Sequence, residues 1–258
     1  MKILALDFET SYNLALTWGL YDGFIPHENV LKERGILMGS YTYLNPLDKT
    51  HSKIRNISLL NSTDEDDMIN KLYLIMLDAD IIVTHNGDKF DLRRFNTELI
   101  KHNFDPLPKI KTIDTLKIAR KNFNFNSNKL ADLARTLGLG EKGDVPKSVW
   151  IVLGNPNSSE RDKRQALKLM RDYCNQDVVL LAKLYFALRR FDPSHPSFNL
   201  VADASDACPR CTSQGTLETN PAWVYHSATR TYPRFKCTNC GGWTKGVKSV
   251  ESTLYTAK

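Results

Sequence analysis

Two acids, Asp7 and Glu9, interrupt an apolar run near the start of the chain, Ile3-Leu4-Ala5-Leu6-Asp7-Phe8-Glu9-Thr10. The run predicts a buried strand. Side chains two apart on a strand point to the same face. Two carboxylates on one face of a buried strand are costly unless a cation binds them or the strand end projects into solvent. The functional reading is a divalent-metal site, which requires the fold to bring more oxygen ligands to that face. The rest of the chain can supply a core around it. Of 258 residues, 41% are hydrophobic and 25% charged, the balance of an ordinary globular protein rather than a disordered one. Apolar runs such as Ile81-Ile82-Val83 are far too short to cross a bilayer, so no membrane partner is expected. The N-terminal apolar run is also too short for a signal-peptide core, which makes the cytoplasm the expected location.

Strands are expected over residues 35–44 and 54–60. A helix is expected to start at Ser62-Thr63-Asp64-Glu65, with acids in the first turn where the helix dipole favours them. Asp80-Ile81-Ile82-Val83-Thr84-His85 reads as the next strand, broken by Asn86-Gly87-Asp88 and followed by a helix through Phe90, Phe95, Leu99 and Ile100. A short strand over residues 110–113 leads into Asp114-Thr115, read as a helix cap. Residues 128–137 read as a helix stopped at Gly138. Residues 140–146 and 154–159 read as loops, and 160–191 as one long helix. Two prolines in Asp192-Pro193-Ser194-His195-Pro196-Ser197 signal a linker. The expected organisation is an α/β domain over residues 1–191, a linker over 192–199 and a small domain over 200–258.

Two further acid motifs follow the first. In His85-Asn86-Gly87-Asp88-Lys89-Phe90-Asp91, Asp91 lies in the first turn of a helix after a strand end, where ligand chemistry gathers in open α/β sheets. Asp88 is its rival, as a ligand or as the cap of that helix. In Tyr173-Cys174-Asn175-Gln176-Asp177, the four-residue step places Tyr173 and Asp177 on one helix face. That face also carries Met170, Val178, Leu181 and Leu184, so it should point inward, where an unpaired acid is uncommon.

In this order, Asp-x-Glu, Asn-Gly-x-x-Phe-Asp and Tyr-x-x-x-Asp resemble the motifs of the DEDD superfamily of 3′–5′ exonucleases, which are DnaQ-like proteins. The tyrosine makes the chain similar to the DEDDy subgroup, and it also resembles standalone phage-type members. The resemblance covers about residues 1–191. It implies a ribonuclease H-like mixed sheet flanked by helices, and host cytoplasm if the chain is phage-encoded. It implies that Asp7, Glu9, Asp91 and Asp177 hold two Mg²⁺ or Mn²⁺ ions, with Asp7 bridging, and that Tyr173 orients the attacking water. The related DEDDh subgroup has a histidine where this chain has Asp172. Oxygen ligands suit these hard cations, and a cation pair can both activate water and stabilise the leaving oxygen of a phosphodiester. Phe8, Asn86, Asn128 and Lys129 are the expected substrate-strand residues. Asn128 and Lys129 are chosen because the amide end of their helix can meet a phosphate. Phe8 is also read as core with Leu6, and His85 as a strand-end neighbour. No Walker-type glycine loop is present, so nucleoside triphosphate hydrolysis has no support.

Cys208-Pro209-Arg210-Cys211 and Cys237-Thr238-Asn239-Cys240 are two CxxC pairs. Four thiolates so spaced predict one structural Zn²⁺. The 25 residues between the pairs exceed the usual ~15–20, which implies an inserted loop or hairpin in a zinc ribbon. The whole chain carries a formal net charge of +6. From Leu200 on, seven bases face four acids, Asp203, Asp206, Glu218 and Glu251. Arg230, Tyr232 and Arg234 are candidate nucleic-acid contacts, among interleaved Trp223, Tyr225, His226, Phe235 and Trp243. Bases with rings suit single-stranded nucleic acid, although the rings alone can also form a mini-core. The expected function is 3′–5′ hydrolysis of single-stranded DNA, with the ribbon holding nucleic acid or a replication or repair protein. The alternatives are an exoribonuclease of the same fold and a non-catalytic nucleic-acid-binding adaptor.

Overall fold

The computed structural model describes residues 1–21, 23–199 and 206–252. Leu200, Asp203 and Lys258, which open the expected ribbon or enter its charge count, lie outside the described residues. The chain divides into two compact units. One comprises Lys2–Leu44 and His51–Leu184; the other comprises Met1, Asn45–Thr50 and Tyr185–Lys258.

The first unit is built on a mixed sheet. Its strands are β1 (Ile3–Thr10), β4 (Ile36–Asn45), β5 (Thr50–His51), β6 (Arg55–Ser58), β7 (Ile81–Thr84) and β8 (Lys111–Asp114). They run in the order β5-β4-β1-β7-β8, with β6 also pairing β4. β4 is antiparallel to β1, whereas β7 and β8 continue parallel to it. A separate small ribbon joins β2 (Leu14–Ala15) to β3 (Val30–Lys32). Its strands are too short to show a period in the sequence.

The helices are α1 (Glu65–Leu77), α2 (Asp91–Lys101), α3 (Thr115–Asn122), α4 (Leu130–Thr136), α5 (Ser148–Gly154) and α6 (Glu160–Leu188). The Asp64 carboxylate caps α1 by accepting from the Asp67 amide at 2.8 Å, satisfying one of the orphan donors of a helix start. Gly138 closes α4 with φ +65°, a left-handed conformation that suits glycine. No helix among the described residues is long and apolar enough to cross a membrane.

Strand alternation sorts β1 into two faces. Leu4, Leu6 and Phe8 are buried with Met68, Ile69, Leu72 and Met76 of α1 and Phe95 and Leu99 of α2. The opposite face presents Asp7 and Glu9, and α6 packs there. Met38 joins Leu167 and Cys174 in a buried cluster, and Ser40 Oγ donates to Asn175 Oδ1 at 2.9 Å. The acid pair of β1 thus faces the Tyr173–Asp177 stretch of the long helix.

In the second unit, residues 192–199 pack rather than hang as a linker. Phe198 is fully buried, the Tyr185 hydroxyl lies 3.0 Å from His195 Nε2, and Arg210 donates to the Asp192 carbonyl. Proline stops the helix but does not keep the following aromatic residues from being buried. The unit division accordingly falls at Tyr185 inside the long helix, not at Asp192.

Candidate active site

The site begins where two strands differ in length. β7 pairs β1 only from Ile3 to Ala5, while β4 follows β1 as far as Thr10. Beyond Ala5 one edge of β1 lacks a strand partner, and Asp91 occupies part of that edge. Its Oδ1 accepts from the Phe8 amide at 3.1 Å. Asp91 is the first residue of α2 and only 4% exposed, so it is not a solvated helix-end charge.

The turn that delivers Asp91 is tightly specified. Asn86 adopts φ +70°, and its carbonyl accepts from Lys89 and Phe90. A Cβ at Gly87 would come within 2.4 Å of Thr84, so only glycine fits there. Asn86 therefore contributes by shaping the turn; its amide donates to Asp114 Oδ1 at 2.9 Å. Asp88 does not cap α2, because its carboxylate pairs with Lys117. Asp114 caps α3 by accepting from Leu116 at 3.0 Å.

From the other side, α6 supplies Asp177, 4% exposed, and Tyr173. Asp177 Oδ2 takes a 2.7 Å ion pair from Lys142, while its Oδ1 is buried without a hydrogen-bond partner. Lys142 also lies 4.3 Å from the centre of the Tyr173 ring, and Trp150 meets that ring edge-on at 5.9 Å. The Trp150 indole hydrogen-bonds Glu9. Cys174, one residue past Tyr173, sits with its Sγ 3.7 Å from Asp7 Oδ2. Ligand atoms of Asp7, Glu9 and Cys174 all lie within 4.8 Å of one another.

Sequence reasoning missed Lys142, Trp150 and Cys174 as site residues. Lys142 lies in an irregular loop, and Trp150 lies on a helix of only seven residues, too short to show a usable period. The only signal for Cys174 was its place beside Tyr173. Phe8 is 4% exposed and stacks on Phe95 at 5.7 Å, so its ring belongs to the core. α4 starts at Leu130, after Asn128 and Lys129. The Asn128 carbonyl lies 2.9 Å from His85 Nε2, and its side chain does not cap the helix. A cavity of about 330 Å³ beside Glu9 is lined by Phe8, Tyr12, Asn13, Arg34, Phe90 and Trp150.

The electrostatics report crowded, buried carboxylates. Burial, then Asp91, Asp177 and Glu9, push the Asp7 carboxyl well above the ordinary aspartate range. Burial and Asp177 push Glu9 up to about 7, and burial pushes Asp91 up to about 6 although the Phe8 amide pulls it back. Asp177 is raised by burial against the pull of Lys142. Burial opposes the charge on Lys142, but its hydrogen bonds to Asp177 and Tyr173 outweigh that and raise its pKa. The Cys174 thiol is raised by burial and by Asp7, and its Sγ donates to Asp7 Oδ2. Residues of this kind, acidic, mutually repelling and with one orphan oxygen, fit divalent cations.

A pH dependence follows. An acid with a raised native pKa binds its proton more tightly when folded, so its stabilisation is complete below the unfolded pKa and lost as pH rises through the native one. Without divalent metal, melting temperature is expected to fall between about pH 4.5 and 7, the window Glu9 sets, and added Mg²⁺ should restore it at the upper end. Each unit of such a rise corresponds to ~1.4 kcal/mol. Melting curves that ignore both pH and Mg²⁺ across that window would contradict the crowding.

In the second unit, Cys208, Cys211, Cys237 and Cys240 are buried together. Cys208 and Cys240 sulfurs lie 3.8 Å apart, and Cys211 and Cys237 sulfurs 3.7 Å apart, with no disulfide. The two knuckles repeat one geometry. The Thr212 amide donates to the Cys208 carbonyl and the Gly241 amide to the Cys237 carbonyl, each at 2.9 Å, and both turn residues have positive φ. Thr216 Oγ1 lies 3.2 Å from Cys237 Sγ and Asn239 Nδ2 donates to Cys211 Sγ at 3.6 Å. Polar hydrogens near sulfur suit thiolates, so the cluster fits one zinc ion. The intervening residues form the hairpin β9 (Leu217–His226) and β10 (Arg230–Cys237), joined on β10 by β11 (Trp243–Lys245) and β12 (Glu251–Ser252). Arg230, Tyr232 and Arg234 lie on β10.

Comparison with known proteins agrees with this geometry. A 99-residue stretch, 36% of the chain, is 30% identical to a DNA polymerase III PolC-type protein of Ureaplasma parvum serovar 3, of which it covers 7%. The chain thus spans a small fraction of that relative. Among solved structures, the family B DNA polymerase of the hyperthermophilic archaeon Pyrobaculum calidifontis superposes with a TM-score of 0.52 at 13% identity. That match covers 91% of this chain and 33% of the polymerase, and it speaks to fold alone. A family described as RNase_H superfamily matches residues 32–189, which take in β4, β7, Asp91 and the whole of α6. With its mixed sheet flanked by helices, the chain belongs to the RNase_H superfamily.

Proposed function

We propose that the first unit is a metal-dependent 3′–5′ exonuclease of the DEDDy kind acting on single-stranded DNA, and that the four cysteines hold a structural zinc ion in a ribbon domain. The observation that carries the nuclease reading is the convergence of four carboxylates, from β1, the start of α2 and the middle of α6, with raised pKa values and one unpartnered oxygen on Asp177.

Asp91, Asp177 and Glu9 all act on the Asp7 charge, so Asp7 would hold both cations. Glu9 and Asp177 would help hold one cation and Asp91 the other. The cations, when bound, supply an activated water and charge relief at the scissile phosphate. Burial raises the Tyr173 phenol above its usual value, so at neutral pH it stays protonated and orients the nucleophile by hydrogen bonding rather than serving as base. Lys142 holds Tyr173 and Asp177 in place. The cavity lined by Tyr12, Arg34, Phe90 and Trp150 is where a terminal nucleotide fits beside Glu9.

The decisive experiment is a 5′-end-labelled single-stranded oligonucleotide incubated with and without added Mg²⁺ or Mn²⁺. Stepwise shortening that needs the metal is expected, with nucleoside 5′-monophosphates as product. Binding without turnover would make the protein an adaptor, and a matched RNA strand cut faster than DNA would change the substrate. Tyr173→Phe should slow cleavage ~100-fold, the low end of the range for positioned proton-handling groups, while calorimetric Mn²⁺ binding stays as in the wild type. An unchanged rate would leave Tyr173 a packing residue.

A further inference from the structure

The register of the second unit's sheet gathers an unusual set of side chains on one face. In β10, Arg230, Tyr232, Arg234 and Lys236 lie two apart. The pairing with β9 shifts register between Pro233 and Phe235. Ring contacts keep the set together, with Arg234 and Lys236 both over Trp243 and Lys245 over Tyr232. The cross-strand partners of the β10 residues are Tyr225 for Tyr232, Lys245 for Arg234, and both Trp243 and Glu218 for Lys236, so one acid stands beside the row of bases. Trp223 lies two residues before Tyr225 and meets Trp243 edge-on at 4.9 Å. The row from Arg230 to Lys236 is ~20 Å long at strand rise. Tyr225 and Trp243 are each 39% exposed, which is high for rings that would form a mini-core.

Two features of this face are costly unless an anion binds it. Arg234 and Lys245 stand directly opposite each other in the ladder, and like charges so placed destabilise a sheet. None of the ion pairs among the described residues involves Arg234, Lys236 or Lys245. Each cation sits over a ring instead: Lys245 is 4.6 Å from the Tyr232 centroid, and Arg234 is 5.8 Å from that of Trp243. Rings hold these charges in place without neutralising them. A groove of about 750 Å³ runs along Tyr225, Arg234, Trp243 and Lys245 and continues past Arg210.

We propose that this face is a binding strip for single-stranded nucleic acid, with Trp223, Tyr225, Tyr232 and Trp243 stacking on bases and Arg234, Lys236 and Lys245 meeting phosphates. Unpaired bases expose the ring faces that stacking needs, and a phosphate row supplies the missing counter-charge. The choice of ligand rests on the proposed nuclease function; the charge and ring pattern of the face does not.

The test is fluorescence anisotropy of labelled oligo(dT) and oligo(U) with the full-length protein, without added Mg²⁺ or Mn²⁺ so that the oligomers are not cut, and without chelator so that zinc is retained. The double variant Arg234→Gln/Lys245→Gln is expected to bind at least ~10-fold more weakly, with a salt dependence shallower by about 1.4 in log–log slope, ~0.7 for each lost phosphate contact on a single strand. Trp243→Ala should lose ~10-fold with the slope unchanged. All variants should keep the wild-type zinc content, which reports that the unit is folded. They should also hydrolyse the p-nitrophenyl ester of thymidine 5′-monophosphate at the wild-type rate. Whichever oligomer depends on these residues names the nucleic acid. Affinities for both oligomers within twofold of wild type in the zinc-loaded variants, or no oligomer binding by the wild type, overturn the strip. Absence of ester hydrolysis in the wild type would instead count against the nuclease site, leaving the binding result readable.

Discussion

Asp7→Asn should cut turnover of single-stranded DNA by ~10³-fold or more, ~4 kcal/mol of barrier, and yet raise the melting temperature of the metal-free protein. Asp7 carries the strongest opposition in the cluster, since its charge is buried and repelled by Asp91, Asp177 and Glu9. An amide of the same shape removes the repulsion and keeps the packing against Cys174. Relief of ~1 kcal/mol corresponds to ~2–4 °C in a chain of this size. The metal-dependent rise in melting temperature should shrink at the same time, because the bridging ligand is gone. Turnover retained at wild-type level would take Asp7 out of the chemistry. An undiminished Mg²⁺ shift would take it out of metal binding.

Loss of zinc should have the second large effect. The second unit has few apolar residues in its interior apart from the cysteines themselves, which cluster with Leu217. Structural zinc contributes ~10–16 kcal/mol of apparent binding energy at neutral pH, and in small domains that energy is folding energy. Cys237→Ser, or removal of zinc by a chelator, should abolish hydrogen-exchange protection across β9, β10 and β11. Protection in β1, β4 and β7 should persist, because those strands are held by an apolar core of their own. Full protection of the hairpin in wild-type protein shown to hold no metal would refute the role of zinc.

The parts of the fold that the sequence revealed are those with a strong period or a chemical signature. The apolar run of β1, the spacing of α1 and the inward stripe of α6 were each legible because burial imposes a repeat. So was the spacing between CxxC pairs, which called for an inserted loop or hairpin without deciding between them. The acids Asp7, Glu9 and Asp177 stood out because a charge inside a buried pattern is costly. Lys142 did not stand out: a lysine in a polar loop breaks no local rule, and only the tertiary structure shows it against Asp177. Asn128 misled for the opposite reason, since a residue suited to helix starts sat two positions before the real one. The face of β9–β11 was half legible. Composition showed rings and bases, but only the register showed that they share a side.

The short partner of β1 has a wider meaning. Because β7 ends at Thr84 while β1 runs on to Thr10, the sheet is unzipped by a few rungs just where the acids begin. The gap holds Asp91 in place of backbone, so the ligand is seated by a missing pairing and not by an added loop. Two extra residues at the end of β7 that continued the ladder would displace α2 and close the notch with every acid still present. Length, as much as side-chain identity, is therefore under constraint at residues 84–87, and insertions there should be tolerated less well than point substitutions in the helix that follows.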